Sequence, residues 1–219
     1  MNKMTRLVMP LLCLSLPVSA QDWSDGWYVG VDFAQSTVDW QSDYDQVKGV
    51  LIDTRLDDEM SGFSLNVGKR MTSWLSLEAN YGRVTSDVMS EIRSLGVLGL
   101  ESYVALYEQD TLSIGAKFIY KAPYQFTFYA KPSLDYTKTR TDFNASQTLG
   151  LASGKIEINE SKTATALGLE FGSEWFVTDQ YAIHVAYKRQ FDGMTAVTAL
   201  REEIEFDLDT IKIGLNYYF

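Results

Sequence analysis

The amino-acid sequence predicts an all-β protein, an eight-stranded antiparallel up-and-down transmembrane β-barrel with four long external loops and short turns at the other end. Three observations predict this fold. Apolar and polar residues alternate with a period of two, and no segment keeps a helical period. Short and long connections alternate along the chain, and aromatic residues gather at both ends of the predicted strands.

The first 20 of the 219 residues have the pattern of a secretory signal peptide. Lys3 and Arg6 form a positive start, Leu7 to Val18 are mainly apolar, and cleavage is expected near Ala20. The only cysteine, Cys13, lies within this segment, so we expect a mature chain with neither disulfide nor thiol. The predicted domains are a signal peptide over residues 1–20 and one barrel domain over residues 21–219.

Each predicted strand has one apolar row. In the first, Trp27, Val29, Val31 and Phe33 alternate with smaller or polar residues. Seven further segments repeat this pattern over a length that suits a tilted membrane-spanning strand. The eight predicted strands cover 27–34, 62–68, 75–82, 112–120, 126–136, 166–175, 181–188 and 210–219.

The connections between these strands differ in length in a regular way. Tight turns are predicted around Met71-Thr72, Ala122-Pro123 and Thr178-Asp179. The other four connections are predicted as long loops over 37–59, 85–108, 138–162 and 191–209. A soluble β-sandwich has no reason to place every long loop at one end, whereas a transmembrane barrel has external loops and short turns.

Aromatic residues mark two levels of the predicted strands. Phe33, Tyr81, Tyr136 and Tyr187 lie at the ends that lead into the long loops. Eight others lie near the tight turns: Trp27, Trp74, Tyr120, Tyr124, Trp175, Tyr181, Tyr217 and Phe219. Such bands are typical of the two interfaces of a membrane barrel, although strands are rich in aromatic residues in any case.

The ends of the predicted barrel resemble small outer-membrane barrels of the outer membrane protein A/X type. The resemblance rests on Gly26-Trp27-Tyr28-Val29-Gly30 and on Gly214-Leu215-Asn216-Tyr217-Tyr218-Phe219. It implies an outer-membrane location in a Gram-negative bacterium, with periplasmic turns. It also implies that Tyr217 and Phe219 form the signal read by the barrel-assembly machinery. Since the sequence ends at Phe219, we expect no peptidoglycan-binding domain after the barrel.

The row opposite the apolar one carries five acids and five bases, which must neutralise one another if a barrel encloses them. The alternative is the solvated face of a secreted sandwich, which would not explain the aromatic bands. The family resemblance implies an interior ion-pair network, with Glu78 facing Lys117 and Lys131 beside Glu170. The predicted members are Asp32, Glu78, Lys117, Lys131, Asp135, Glu170, Lys188 and Lys212.

The predicted loops contain 20 acids and eight bases, a net charge of −12, whereas the rest of the mature chain is neutral. This acidity disfavours a nucleic-acid partner. Four bases, Arg83, Lys138, Arg140 and Arg189, point outward by parity at the loop end. We expect them either to contact the phosphates of lipopolysaccharide or to extend to the membrane interface without a specific ligand. The loops offer a surface for an extracellular partner, and we expect a monomer.

Three function classes remain, and the sequence favours a structural, envelope-integrity or surface-interaction role. The second is a narrow pore or a conduit for small or hydrophobic molecules, which a barrel interior filled by side chains disfavours. The third, a lipid A-modifying enzyme, needs a rim histidine beside a serine. The one histidine, His184, points inward and is predicted to be structural, near Lys212. We therefore predict no catalytic residues, cofactor or metal site.

Overall fold

The computed structural model describes residues 26–40, 59–86, 89–94, 100–149, 152–197 and 203–219. The signal peptide predicted over residues 1–20 lies outside these ranges. Among the described residues, no helix is long and apolar enough to cross a membrane. The strands are β1 (Gly26–Trp40), β2 (Glu59–Arg70), β3 (Leu75–Ser86), β4 (Met89–Ser94), β5 (Leu100–Lys121), β6 (Phe126–Leu149), β7 (Ala152–Phe176), β8 (Tyr181–Val197) and β9 (Glu203–Tyr218).

All nine strands belong to one antiparallel sheet, in which neighbours along the chain are neighbours in space. The sheet closes because β1 pairs with β9 and β3 pairs with β5. Segment β4 pairs with the start of β5 and continues the line of β3. Because β3 and β4 together occupy one strand position, the nine segments form an eight-stranded, closed up-and-down barrel. This confirms the predicted fold.

The direction of each side chain follows from the period of the strand. On β1, Val31 and Phe33 are 51% and 55% exposed, whereas Asp32 between them is 3% exposed. The other strands show the same alternation, with apolar residues outward and charged or small residues inward. An outward apolar surface combined with a polar interior is the reverse of a water-soluble barrel, and it suits a lipid surrounding.

The two ends of the barrel differ in the way that the sequence predicts. The connections at 71–74, 122–125 and 177–180 are tight, and we call their side of the barrel the turn end. Tyr124 and Gln125 take positive φ angles of 62° and 66° in the second of these turns. The opposite side, where the strands run on as hairpins, is the hairpin end. Exposed aromatic residues mark both ends, as expected for an interfacial girdle.

Much of the sequence predicted as long loops is paired strand. The pairing of β6 with β7 continues to Leu149 and Ala152, so most of 138–162 is one hairpin. Most of 100–108 pairs with β6, and β8 pairs with β9 as far as Val197 and Glu203. The prediction of loops over 138–162, and over parts of 85–108 and 191–209, is therefore wrong. The continuation of β6 beyond residue 137 has no apolar row, so hydrophobic alternation no longer marks this part of the strand.

Candidate functional site

The barrel interior holds an unbroken chain of six alternating charges. Lys117 Nζ lies 2.6 Å from Glu174 Oε1 and 3.8 Å from Glu78 Oε2. Lys131 Nζ binds Glu78 Oε1 at 2.5 Å and Glu170 Oε1 at 2.8 Å, and Glu170 Oε2 lies 2.9 Å from Lys212 Nζ. These residues come from β3, β5, β6, β7 and β9, so the charge chain links opposite walls of the barrel.

Tyrosine hydroxyl groups complete the coordination of the three glutamates in this chain. Tyr28 donates to Glu78 at 2.7 Å, Tyr129 to Glu170 at 3.1 Å, and Tyr218 to Glu174 at 3.0 Å. The ammonium group of Lys117 also lies 4.1 Å from the centre of the Tyr129 ring. Each buried carboxylate thus has a cation and a hydroxyl donor, which is the condition under which burial of charge is tolerated.

Two of these tyrosines face glycine on the adjacent strand. Tyr28 lies opposite Gly68, and Tyr129 lies opposite Gly172. A Cβ at Gly68 would come within 2.2 Å of the Tyr28 ring, and one at Gly172 within 2.4 Å of the Tyr129 ring. The glycines let each ring lie flat against the barrel wall with its hydroxyl group directed to a glutamate.

One further ion pair and one histidine–carboxylate contact lie beside the chain. Lys188 Nζ is 2.7 Å from Asp135 Oδ2, and His184 Nε2 is 2.9 Å from Asp32 Oδ1. His184 and Asp32 lie on β8 and β1, and Gly214 of β9 lies between them in the register. The inward direction of His184 is confirmed, and its side chain contacts Asp32. The predicted nearness of His184 to Lys212 stays a prediction.

The contacts of His184 also bear on the enzyme hypothesis. The side chain of His184 is buried, and Asp32 accepts a hydrogen bond from Ser64 Oγ at 2.7 Å. The carboxylate therefore lies between the imidazole and the hydroxyl group, whereas nucleophilic catalysis requires the imidazole to contact the hydroxyl directly. The three groups therefore do not have the serine–histidine–acid order of a catalytic triad.

An aromatic cluster fills the interior at the turn end. Tyr28, Phe176, Ala182 and Tyr218 pack together, with the rings of Tyr28 and Tyr218 4.9 Å apart. The guanidinium carbon of Arg70 lies 5.3 Å from the centre of the Tyr218 ring and 5.9 Å from that of Phe176. We call this cluster the lower seal, and the residues of the charge chain beside it are buried.

A second apolar cluster fills the interior at the hairpin end. Beside it is a cavity of about 40 Å³, whose lining includes Val84, Leu208, Lys188 and Lys212. This volume suits one or two water molecules. We call the cluster the upper seal, and its members are Ala34, Val38, Met60, Val84, Tyr107, Ala166 and Leu208.

The structure buries every predicted member of the interior network, with exposed fractions of 0–7%. Both predicted contacts exist, but the closest partner of Lys117 is Glu174 rather than Glu78. The predicted network omitted Glu174, Arg70 and the three tyrosines. The alternation of the strands places all five inward. A glycine lies opposite Tyr28 and another opposite Tyr129, and each is a sequence signal for a ring that lies against the barrel wall.

The four outward bases at the hairpin end lie where parity predicts, but acids hold two of them. Arg83 binds Glu108 at 2.7 Å, and Arg189 binds Asp207 at 3.0 Å. Arg140 makes a longer contact of 3.6 Å with Glu108. Lys138 has no acidic group within 4 Å among the described residues. The predicted contact of these four bases with lipopolysaccharide stays a prediction.

The last strand ends on exposed aromatic residues. The ring of Tyr217 packs edge-on against Phe219 at 5.0 Å and also contacts Tyr181 at 5.1 Å. The amide of Phe219 donates to the carbonyl oxygen of Trp27, so the carboxyl terminus lies beside the first strand at the closing seam. Recognition of Tyr217 and Phe219 by the assembly machinery stays a prediction.

Comparison with solved structures finds the same architecture in small outer-membrane barrels. Ail, the attachment invasion locus protein of Yersinia pestis, is 14% identical and matches 90% of this chain and 99% of its own, with a TM-score of 0.51. OprG from Pseudomonas aeruginosa is 10% identical and matches 90% of this chain and 96% of its own, also with a TM-score of 0.51. At these identities the likeness shows the fold alone. No sequence match is found among curated proteins.

A family model provides the link at the level of sequence. The model described as "Outer membrane protein beta-barrel domain" matches residues 7–219, which is nearly the whole chain. The outward apolar band, the two aromatic rims and the enclosed charges agree with this match and with a location in the outer membrane. The chain belongs to the outer membrane protein beta-barrel domain family.

Proposed function

We propose that the protein is a closed, non-conducting barrel with a structural and surface-interaction role, which holds its hairpins above the outer membrane. The observation that carries this proposal is the filled interior. The charge chain from Glu174 to Lys212 crosses the lumen, and an apolar seal lies on each side of it. An ion would have to break paired charges and pass two clusters of apolar side chains, and both steps oppose conduction.

The extended hairpins support a role at the cell surface. The segment of β6 from Lys138 to Leu149 pairs on one side with β5 and on the other with β7. Segment β4 adds a further strand to the same sheet. Anchoring in the membrane does not require this additional sheet. Its presence therefore favours an interaction outside the membrane.

The charge of the external segments indicates the chemistry of a partner. Segments 37–59 and 191–209 contain seven acids with two bases and six acids with one base, so each has a net charge of −5. Ail has been solved in complex with the heparin analogue sucrose octasulfate, a polyanion. The acidic segments here would repel such a ligand and instead favour a basic partner.

Single-channel recording in planar lipid bilayers tests the proposal. The refolded wild-type protein should give no discrete conductance steps in 1 M KCl, because the seals and the charge chain block the lumen. A general porin in the same membranes provides the positive control. Steady, reproducible openings of the wild-type protein would contradict the proposal and favour the narrow-pore alternative.

A further inference from the structure

Two sites at the outer rim repeat the same local pattern on opposite sides of the barrel. On β3 the outward residues Tyr81 and Arg83 face β5, where Asp110 lies directly opposite Arg83. On β8 the outward residues Tyr187 and Arg189 face β9 in the same way, with Asp209 opposite Arg189. In both sites an aromatic residue at the edge of the apolar band precedes an arginine that two acids hold.

The two sites differ in what lies on the far side of the acids. Beyond β5 is β6, where Lys138 lies opposite Asp110 and Arg140 lies opposite Glu108. Beyond β9 is β1, where Thr37 lies opposite Asp209 and Asp39 lies opposite Asp207. The first site therefore has three bases and two acids, whereas the second has one base and, counting Asp39 by its register position, three acids.

The acids of the first site are already occupied by other groups. Asp110 Oδ1 accepts a hydrogen bond from the Tyr81 hydroxyl group at 2.8 Å and lies 3.9 Å from Arg83 Nε. Glu108 Oε2 is 2.7 Å from Arg83 Nη2 and 3.6 Å from Arg140 Nη1. Among the described residues, Lys138 thus has no ion pair, and Arg140 has one long contact that leaves most of its donors unused.

The depth of these two cations matches that of lipid phosphates. Tyr136, two residues before Lys138 on the same face of β6, is 54% exposed and belongs to the aromatic girdle. Lys138 and Arg140 are the next outward positions, and the side chain of Arg140 is 44% exposed. Their Cα atoms are about 7 Å apart along the strand. A phosphate group that both cations contact would lie just outside the apolar band.

The charge of the external segments also distinguishes this face of the barrel. Segment 138–162 has four bases and three acids, for a net charge of +1. Segment 85–108 has a net charge of −3, and the segments on either side of the second site have −5 each. A long-range field would therefore repel an anionic headgroup from the β8–β9–β1 face and admit it at the β6–β7 hairpin.

We propose that Lys138 and Arg140 form a binding site for a phosphate-bearing glycolipid of the outer leaflet, on the β3–β5–β6 face alone. Arg83 lies 2.7 Å from Glu108 and 3.9 Å from Asp110, so these two acids are shared with Arg83 and compete less for Lys138 and Arg140. Arg189 takes no part, since Asp207 and Asp209 bind its guanidinium group. One side of the barrel thus binds a specific lipid, and the other side does not.

The test measures the binding of bis-phosphorylated lipid A to the refolded protein in detergent micelles. Each basic group near an anionic headgroup contributes about fivefold in affinity, so Lys138→Gln with Arg140→Gln should weaken binding about 25-fold. Arg189→Gln is the matched control and should change binding by less than about twofold. Lys138→Arg keeps the charge and should keep the affinity. Heat-dependent gel mobility shows that each variant is folded.

Further arms separate the lipid from a free anion. Lipid A without phosphates should bind the wild-type protein as weakly as bis-phosphorylated lipid A binds the double variant. Inorganic phosphate at millimolar concentration should fail to displace bis-phosphorylated lipid A, because it lacks the apolar anchor. Unchanged binding by the double variant, an equal loss in Arg189→Gln, or displacement by inorganic phosphate would each overturn the proposal.

Discussion

At the scale of single residues, each carboxylate of the charge chain has more than one partner. Glu170 is 3% exposed and contacts Lys131, Lys212 and the hydroxyl group of Tyr129. Removing a carboxylate from a buried set leaves a cation without its counter-charge, and that costs far more than the loss of a surface pair. The position of a charge inside the barrel therefore decides what its substitution costs.

Glu170→Gln is expected to reduce the free energy of unfolding by about 3–5 kcal/mol. In this variant Lys212 loses the one acid that lies within 4 Å of it among the described residues. Urea-induced unfolding in lipid vesicles measures the change. The control is Glu108→Gln at the rim, where solvent screens the lost pair and the expected cost is below about 1 kcal/mol. Similar costs for both variants would contradict the role of the chain.

Parity alone predicted which charges lie inside, because the strand period of two fixes direction without knowledge of the neighbours. It could not predict which acid each lysine prefers. Lys117 reaches Glu174, two strands away on β7, across the lumen. Contacts across a barrel depend on the register stagger between all eight strands, and a single sequence does not show that stagger.

At the scale of the strands, β8, β9 and β1 meet in a row where a small residue is required. Gly214 of β9 lies between His184 and Asp32, and a Cβ there would come within 2.2 Å of Asp32 Oδ1 and 2.4 Å of the Val31 carbonyl oxygen. The carbonyl oxygen is backbone and cannot move aside. The pairing of the first and last strands therefore depends on this glycine.

Gly214→Ala is expected to reduce the free energy of unfolding by about 1–3 kcal/mol, because the added methyl group overpacks the row and disturbs the contact of His184 with Asp32. Equilibrium unfolding in vesicles measures the change. The matched control is Gly82→Ala on β3, where the nearest atom would lie at an ordinary 3.5 Å. An equal loss at Gly82 would attribute the effect to strand glycines in general.

The lengths of the strands were only partly predictable. The alternation of residues 126–136 predicted the membrane part of β6, because one face there meets lipid. The continuation from 137 to 149 is rich in threonine, which suits a strand, but it has no apolar row. Backbone pairing with β5 and β7 holds this part, and pairing leaves no periodic mark in a single sequence.

At the scale of the whole molecule, the barrel separates two environments with unlike surfaces. The turn end has tight turns and the lower seal, and the hairpin end has long hairpins and segments with a net charge of −12. The mean hydropathy of −0.13 hides this division, because each strand combines an apolar outward row with a polar inward row. Orientation in the membrane is therefore the property that links the fold to the proposed surface role.

Single cysteines at the two ends test this orientation, since the mature chain is predicted to contain none. Asn159→Cys lies on the external part of β7, and Asp179→Cys lies in the turn between β7 and β8. A membrane-impermeant maleimide should label Asn159→Cys on intact cells, but it should label Asp179→Cys only after the outer membrane is permeabilised. The wild-type protein should stay unlabelled, because its one cysteine, Cys13, lies in the predicted signal peptide. Labelling of Asp179→Cys alone on intact cells would show the opposite orientation. The hairpins would then lie in the periplasm, and this result would contradict a surface-interaction role.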